Sequence, residues 1–213
     1  MLKANKKTLI IASIITILPM LIGVFLWNRL PDRMATHFGA NNEADGFTSK
    51  AFAVFGLPLI LVAAEWFGAL VTAQDPKKQN ISPKMFSLVL WIVPLVSLLG
   101  AAVIYSYNLG YQMNSTFIAE LLMGVIFIIV GNYLPKARQN YTIGIKIPWT
   151  LANEENWNRT HRLAGYLWVA GGFLLIILSL THMVQPGWML GICLAMALVP
   201  FIYSYLLHVK YNL

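Results

Sequence analysis

Charge is what this chain has least of. Only 11% of its 213 residues are Asp, Glu, Lys or Arg, less than half the roughly 25% of an average soluble domain. With 58% hydrophobic residues and a mean hydropathy of +0.67, that scarcity excludes an ordinary soluble domain and makes the chain a membrane protein on composition alone. Cysteine is almost missing. Cys193 stands by itself in an apolar run, which rules out an intrachain disulfide and a metal site built of cysteines, and a buried, inert thiol is expected. The signatures of catalysis are missing too: no HExxH, no G-x-S-x-G, no glycine-rich phosphate loop, and no apolar segment with a pair of acids. The expectation is therefore not an enzyme, with no catalytic residue, cofactor or metal site assigned. The net charge of +7 gathers into no stripe or patch, so lipid is the expected partner and direct nucleic-acid binding is not.

What is present is a set of apolar segments, 8–27, 51–73, 86–107, 116–133, 164–180 and 188–207. They predict an all-α, polytopic bundle of six transmembrane helices in a cell membrane. The first follows Lys3, Lys6 and Lys7 as a signal peptide would. Yet it is longer than an h-region of roughly 7–15 residues, and no small-residue cleavage site follows it, so it reads as a retained helix. Pro94 inside the third segment predicts a tolerated kink. The basic residues fall unevenly. Lys3, Lys6, Lys7, Lys77, Lys78, Lys84, Lys136, Arg138, Lys146, Arg159, Arg162 and Lys210 share one side, while Arg29, Arg33 and Lys50 take the other. The positive-inside rule then puts both termini in the cytoplasm. The expected organisation is an N-terminal two-helix module, 1–84, with an extracytoplasmic loop over 29–50. A four-helix module, 85–213, follows with a cytoplasmic loop over 134–163.

The outer loop holds Pro31, Gly39, Asn41-Asn42 and Asp45-Gly46, turn chemistry that predicts a compact structure. His37, Glu43 and Asp45 could share a cation, but solvated side chains are the simpler reading. Two acids interrupt the apolar segments. Glu65 sits deep in the second with no basic residue beside it, where an ionised carboxylate costs roughly 3 kcal/mol. It is neutral, bonded to a neighbouring helix, or open to a polar cavity. Structural glue and a functional role remain level. Glu120 lies near the outer end of the fourth segment; an interfacial acid in water is the expectation, with a pair to His182 the alternative.

The longest polar interval runs from Gly131 to Arg162 and reads GNYLPKARQNYTIGIKIPWTLANEENWNRTHR. Its first half alternates Ile143, Ile145 and Ile147 around Gly144 and Lys146, an extended pattern that ends at Pro148. Asn153 then predicts the cap of a helix whose first turn holds Glu154 and Glu155. That helix is expected to lie at the membrane surface, with Trp149 and Trp157 in the interface and Arg159 and Arg162 near lipid phosphates.

These residues resemble the SdpI family of bacterial immunity proteins. The resemblance rests on Gly131-Asn132, Asn140, Gly144-Ile145-Lys146, Pro148-Trp149-Thr150-Leu151, Glu154 and Trp157. Lys146 stands where arginine is more usual, which keeps the charge and gives up bidentate geometry. The outer loop, through Leu30-Pro31, His37-Phe38, Gly39, Asp45-Gly46 and Ser49-Lys50, is similar to the small domain of unknown function that often precedes that module. What the resemblance implies is immunity to a secreted antimicrobial peptide toxin of the SdpC kind. For some members it also implies a receptor role, in which a cytoplasmic winged-helix autorepressor is held at the membrane. On that view the candidates for toxin or partner binding and signalling are Asn132, Asn140, Gly144, Lys146, Pro148, Trp149, Thr150, Glu154 and Trp157, with His37, Phe38 and Asp45 outside. A small proton-coupled transporter or exporter using Glu65 and Glu120 is the alternative function.

Overall fold

The computed structural model describes residues 2–39, 41–111, 113–181 and 186–213. The apolar segments all become helices: α1 (Leu2–Phe25), α2 (Leu57–Ala73), α3 (Pro83–Asn108), α4 (Ser115–Tyr133), α6 (Glu154–Leu180) and α7 (Pro186–Tyr211), with a one-turn α5 (Pro148–Ala152) in the long loop. Six of them are long and apolar enough to cross a membrane. Large apolar side chains such as Leu21, Phe67 and Leu190 are exposed on the helix surfaces, as lipid-facing positions require. This is an all-α, multi-pass membrane protein.

Two compact units divide the chain, Met1–Leu70 with Phe86–Ala119, and Val71–Met85 with Glu120–Leu213. In the first, the loop between α1 and α2 is a β-hairpin, β1 (Arg33–Phe38) antiparallel to β2 (Ala44–Ser49). A five-residue π-helical turn, Phe52–Gly56, then leads into α2. Sequence reading took the loop for compact turns and missed the strands. The register skips Thr36 and Asp45, and these two bulges interrupt the alternation that marks a strand. Helix α1 packs by lending its carbonyls to α3: Ser97 Oγ donates to Thr16 O at 2.8 Å and Tyr105 OH to Pro19 O at 3.0 Å. These bonds lie around Pro19, where the α1 ladder is already broken.

In the second unit α4 and α6 approach until their backbones touch. Glycines spaced by seven residues make this possible, Gly124 and Gly131 on α4 against Gly172 and Gly165 on α6. A Cβ on Gly131 would lie 2.9 Å from Val169 N and 3.0 Å from Gly165 O, and one on Gly172 would lie 2.6 Å from Gly124 O. Small residues at a helix crossing are the usual way to pack helices in lipid, where no hydrophobic force draws them together.

The expected surface helix does not exist as a separate element. Asn153 does cap a helix, its Oδ1 accepting from Glu155 N at 2.8 Å and Asn156 N at 3.0 Å. That helix is α6, which continues unbroken to Leu180. The polar residues of its first turns made the apolar stretch seem to start at Ala164. Four of them are buried inside the protein instead of lying along a membrane surface: Asn156, Trp157, Thr160 and His161 are all 0–1% exposed.

Candidate functional site

The loop 134–153 is a polar knot held against the start of α6 and the 74–82 turn. Asn140, fully buried, is its centre. Its amide donates to Arg138 O and Ile143 O, both at 2.9 Å, while Oδ1 accepts from Thr142 N at 2.9 Å and Ile143 N at 2.7 Å. Every donor and both lone pairs are used. Gln139 is the second node: Nε2 donates to Thr150 O at 2.8 Å and Leu151 O at 3.0 Å, and Oε1 accepts from Lys77 Nζ. Asp75 reaches in from the 74–82 turn, with Oδ1 taking Lys77 N at 2.7 Å and Oδ2 taking Tyr141 N at 2.8 Å and Thr142 Oγ1 at 2.9 Å. Asn80 Nδ2 closes the same strap by donating to Gln139 O at 2.8 Å.

The far side of the knot rests on two stacked rings of α6. Trp157 and His161, one turn apart, have centroids 3.9 Å apart and planes within 20°. The indole N–H donates to Ala137 O at 2.7 Å. His161 Nδ1 donates to Trp157 O at 2.8 Å, and Nε2 accepts from Ile145 N at 2.9 Å. These two bonds fix the tautomer, with the proton on Nδ1. Gly144 passes directly over the pair at φ +130°. A Cβ there would stand 2.5 Å from His161 Nε2 and 2.9 Å from Trp157 Cη2 and Cζ2, so this turn demands glycine twice over, for conformation and for space. It is also why the isoleucine alternation makes no strand: the chain reverses its twist at Gly144, and Ile145 N–H goes to His161 instead of a ladder.

Thr150 opens α5, accepting from Ile147 N at 3.1 Å and directing its hydroxyl at Ile145 O, 2.8 Å away. Pro148 occupies the first turn of α5, where no N–H is missed. Trp149 lies against α7, its ring centroid 5.3 Å from Phe201 and 5.1 Å from Tyr205. Asn156 ties α6 to α7, donating to Ser204 O at 3.0 Å and accepting from Ser204 Oγ at 2.6 Å.

The candidate residues therefore separate. Asn140, Gly144, Thr150 and Trp157 come together inside the knot and Trp149 flanks it. Asn132, Lys146, Pro148 and Glu154 are exposed, with Lys146 Nζ donating back to Thr142 O at 3.0 Å. Trp157 is a core residue and not a lipid anchor. Asp75, Gln139 and His161 belong to the knot and were missed by sequence reasoning. A lone acid in a lysine-rich turn was the sequence feature that set Asp75 apart, without naming its partners. His161, one helical turn after Trp157, was the other.

The remaining candidates lie apart from the knot. Asp45 and His37 pair across the exposed hairpin, and Phe38 meets Tyr107 edge-on at 4.9 Å. Glu65 is buried, and Oε2 accepts from Ser13 Oγ at 3.2 Å, which in turn accepts from Trp66 Nε1 at 3.0 Å; Oε1 has no partner among the described residues. Of its three readings, a bond to a neighbouring helix is the one seen. Glu120 is 5% exposed, a correction to the expected acid in water: it faces inward from α4. His182 lies outside the described residues.

Comparison with known proteins bears directly on both loops. Residues 136–204, which contain every knot residue except those of the 74–82 turn, match the SdpI/YfhL protein family. Residues 14–62, with the hairpin at their centre, match a domain of unknown function (DUF1648). Over its C-terminal third the chain is therefore similar to the SdpI family. It is 29% identical over 177 residues to the immunity protein SdpI of Bacillus subtilis (strain 168), covering 81% of this chain and 82% of that one. No solved structure matches it. The six apolar helices and this similarity make it a multi-pass protein of the cell membrane.

Proposed function

We propose that this protein gives its cell resistance to a secreted antimicrobial peptide of the SdpC kind, as a binding protein without turnover. In this reading both termini and the 134–163 loop are cytoplasmic and the hairpin is outside, as the distribution of basic residues favours. The observation that carries it is the state of the knot. Asn140, Gln139, Asp75, Thr150 and His161 spend their hydrogen bonds on main chain and on one another. Groups so engaged hold a shape and are not free to transfer protons or attack a substrate. What surrounds the knot is an exposed surface that carries Arg138, Lys146 and Arg162, with Arg159 paired to Glu155. Where a winged-helix autorepressor is encoded beside the toxin, that face is the surface we assign to its capture.

Glu65 is the observation favouring the second reading, a proton-coupled transporter. A single carboxyl bonded to one hydroxyl offers no relay across the membrane, so immunity by binding is preferred. The test is to express the chain in a sensitive strain, challenge with toxin, and collapse the proton gradient with an uncoupler at a dose that spares growth. Protection that survives the uncoupler supports binding, and protection that vanishes with it points to transport.

A further inference from the structure

The hairpin carries an observation that no role yet explains: its two edges are treated differently. The outer edge of β1 is closed. Asn108 of α3 takes both main-chain groups of Ala35, accepting from its N–H and donating to its C=O, each at 2.9 Å. Residues facing each other across an antiparallel pair turn their main-chain groups in opposite directions together. Phe47 faces Ala35, so Phe47 points its N–H and C=O away from β1, while Ser49 ends the strand as a cap, its Oγ accepting from Phe52 N at 3.3 Å and its carbonyl from Thr48 Oγ1 at 3.5 Å. Among the described residues the sheet has two strands, and no third strand receives the Phe47 groups. Such an edge is a template for another extended chain.

The edge is also held rigid. Asn42, at φ +62° in the turn, accepts from Ser115 N at 2.6 Å and donates to Met113 O at 3.1 Å. At the other end Lys50 Nζ binds Asp32 at 3.0 Å and Trp27 O at 3.3 Å. A pre-ordered edge loses little entropy when a strand is added. Its exposed side chains run Glu43, Asp45, Phe47 and Ser49, with Asp45 already holding His37 through Oδ1, and no basic residue occurs between Asn41 and Ser49. Phe47 is half exposed.

We propose that the outer edge of β2 binds an extended peptide by strand addition, one whose facing side chains are basic opposite Glu43 and Asp45 and apolar opposite Phe47. A second copy of this chain fits less well, because it brings the same two acids and no base to answer them. The proposal rests on the reading that the hairpin faces outward and meets a secreted peptide.

The test uses the full chain in phosphatidylcholine nanodiscs, with empty nanodiscs as blank. The probe is a fluorescein-labelled synthetic peptide that alternates threonine with lysine and valine, titrated by anisotropy. Saturable binding above the blank is expected. Phe47→Pro removes one outward N–H, which an edge strand tolerates, and should weaken binding by about five- to tenfold or more. Phe47→Tyr should bind like wild type, and Glu43→Lys should bind more weakly with a flatter salt dependence. No binding above the blank, or Phe47→Pro binding like wild type with an unchanged melting temperature, overturns the proposal. Disulfide dimers of Phe47→Cys in a Cys193→Ala background also overturn it, in favour of paired copies. Toxin challenge separates the two readings. Should wild type and Phe47→Pro protect equally, the edge fails and immunity stands. Should wild type not protect, immunity fails and the peptide titration alone decides the edge.

Discussion

Replacing Gly144 tests the knot where its geometry is least forgiving. At φ +130° any L side chain is strained, by about 1–3 kcal/mol. The added Cβ meets His161 Nε2 at 2.5 Å and the Trp157 ring at 2.9 Å. Trp157 and His161 are fully buried, so the collision adds an overpacking cost of about 1–3 kcal/mol. The total of about 2–6 kcal/mol falls on a loop that must order itself against α6. Even the lower figure raises local opening about thirtyfold. Amide hydrogen exchange of the purified protein in nanodiscs reads this directly. Gly144→Ala should speed exchange of the Thr142, Ile143 and Ile145 amides by about thirtyfold or more and leave α1 and α3 unchanged. Gly144→Val should do at least as much. Exchange at those amides equal to wild type would refute the reasoning, since neither the φ nor the ring contact could then be as described.

Other consequences follow from the same contacts. Asp75→Asn keeps one acceptor oxygen where two are in use, so it should cost about 1–3 kcal/mol in the same exchange measurement, spread over Lys77, Tyr141 and Thr142. Gly131→Leu should push α4 off α6 and lower the melting temperature and membrane abundance, whereas Gly191→Leu, where no neighbour among the described residues lies within 4 Å, should change neither. Glu65→Gln keeps an acceptor for Ser13 and should preserve expression and resistance, while Glu65→Leu should cost about 0.6–2 kcal/mol of helix association, read by melting; a stable but inactive Gln variant would point to transport. For topology, single cysteines at Asn41 and Glu154, both exposed, in a Cys193→Ala background should react with an impermeant reagent in intact cells at Asn41 alone.

The helices were legible because an apolar run of spanning length has few other fates. Asn153 was legible as a cap because the acids that follow it suit a helix start. The start of the fifth span was misplaced because polarity was taken for exposure. Asn156, Trp157, Thr160 and His161 are polar or amphipathic yet buried, Trp157 and His161 by the folded loop and Asn156 by α7. The hairpin escaped because its bulges at Thr36 and Asp45 break the period. Asp75 escaped for a different reason: its partners Tyr141 and Thr142 lie 66 and 67 residues away in the chain, and no local pattern encodes such a pairing. Motif residues such as Asn140 and Gly144 stood out in the sequence, but their role as scaffold needed the coordinates.

The central claim is that the knotted loop is the working part of an immunity device. Its most direct measurement is survival of a sensitive strain under toxin challenge, with wild type, Gly144→Val and Lys146→Glu matched for abundance in the membrane. The account predicts that wild type protects, that Gly144→Val fails to protect, and that Lys146→Glu protects poorly although its loop exchanges as slowly as wild type. Full protection by both variants, or none by wild type, would contradict it.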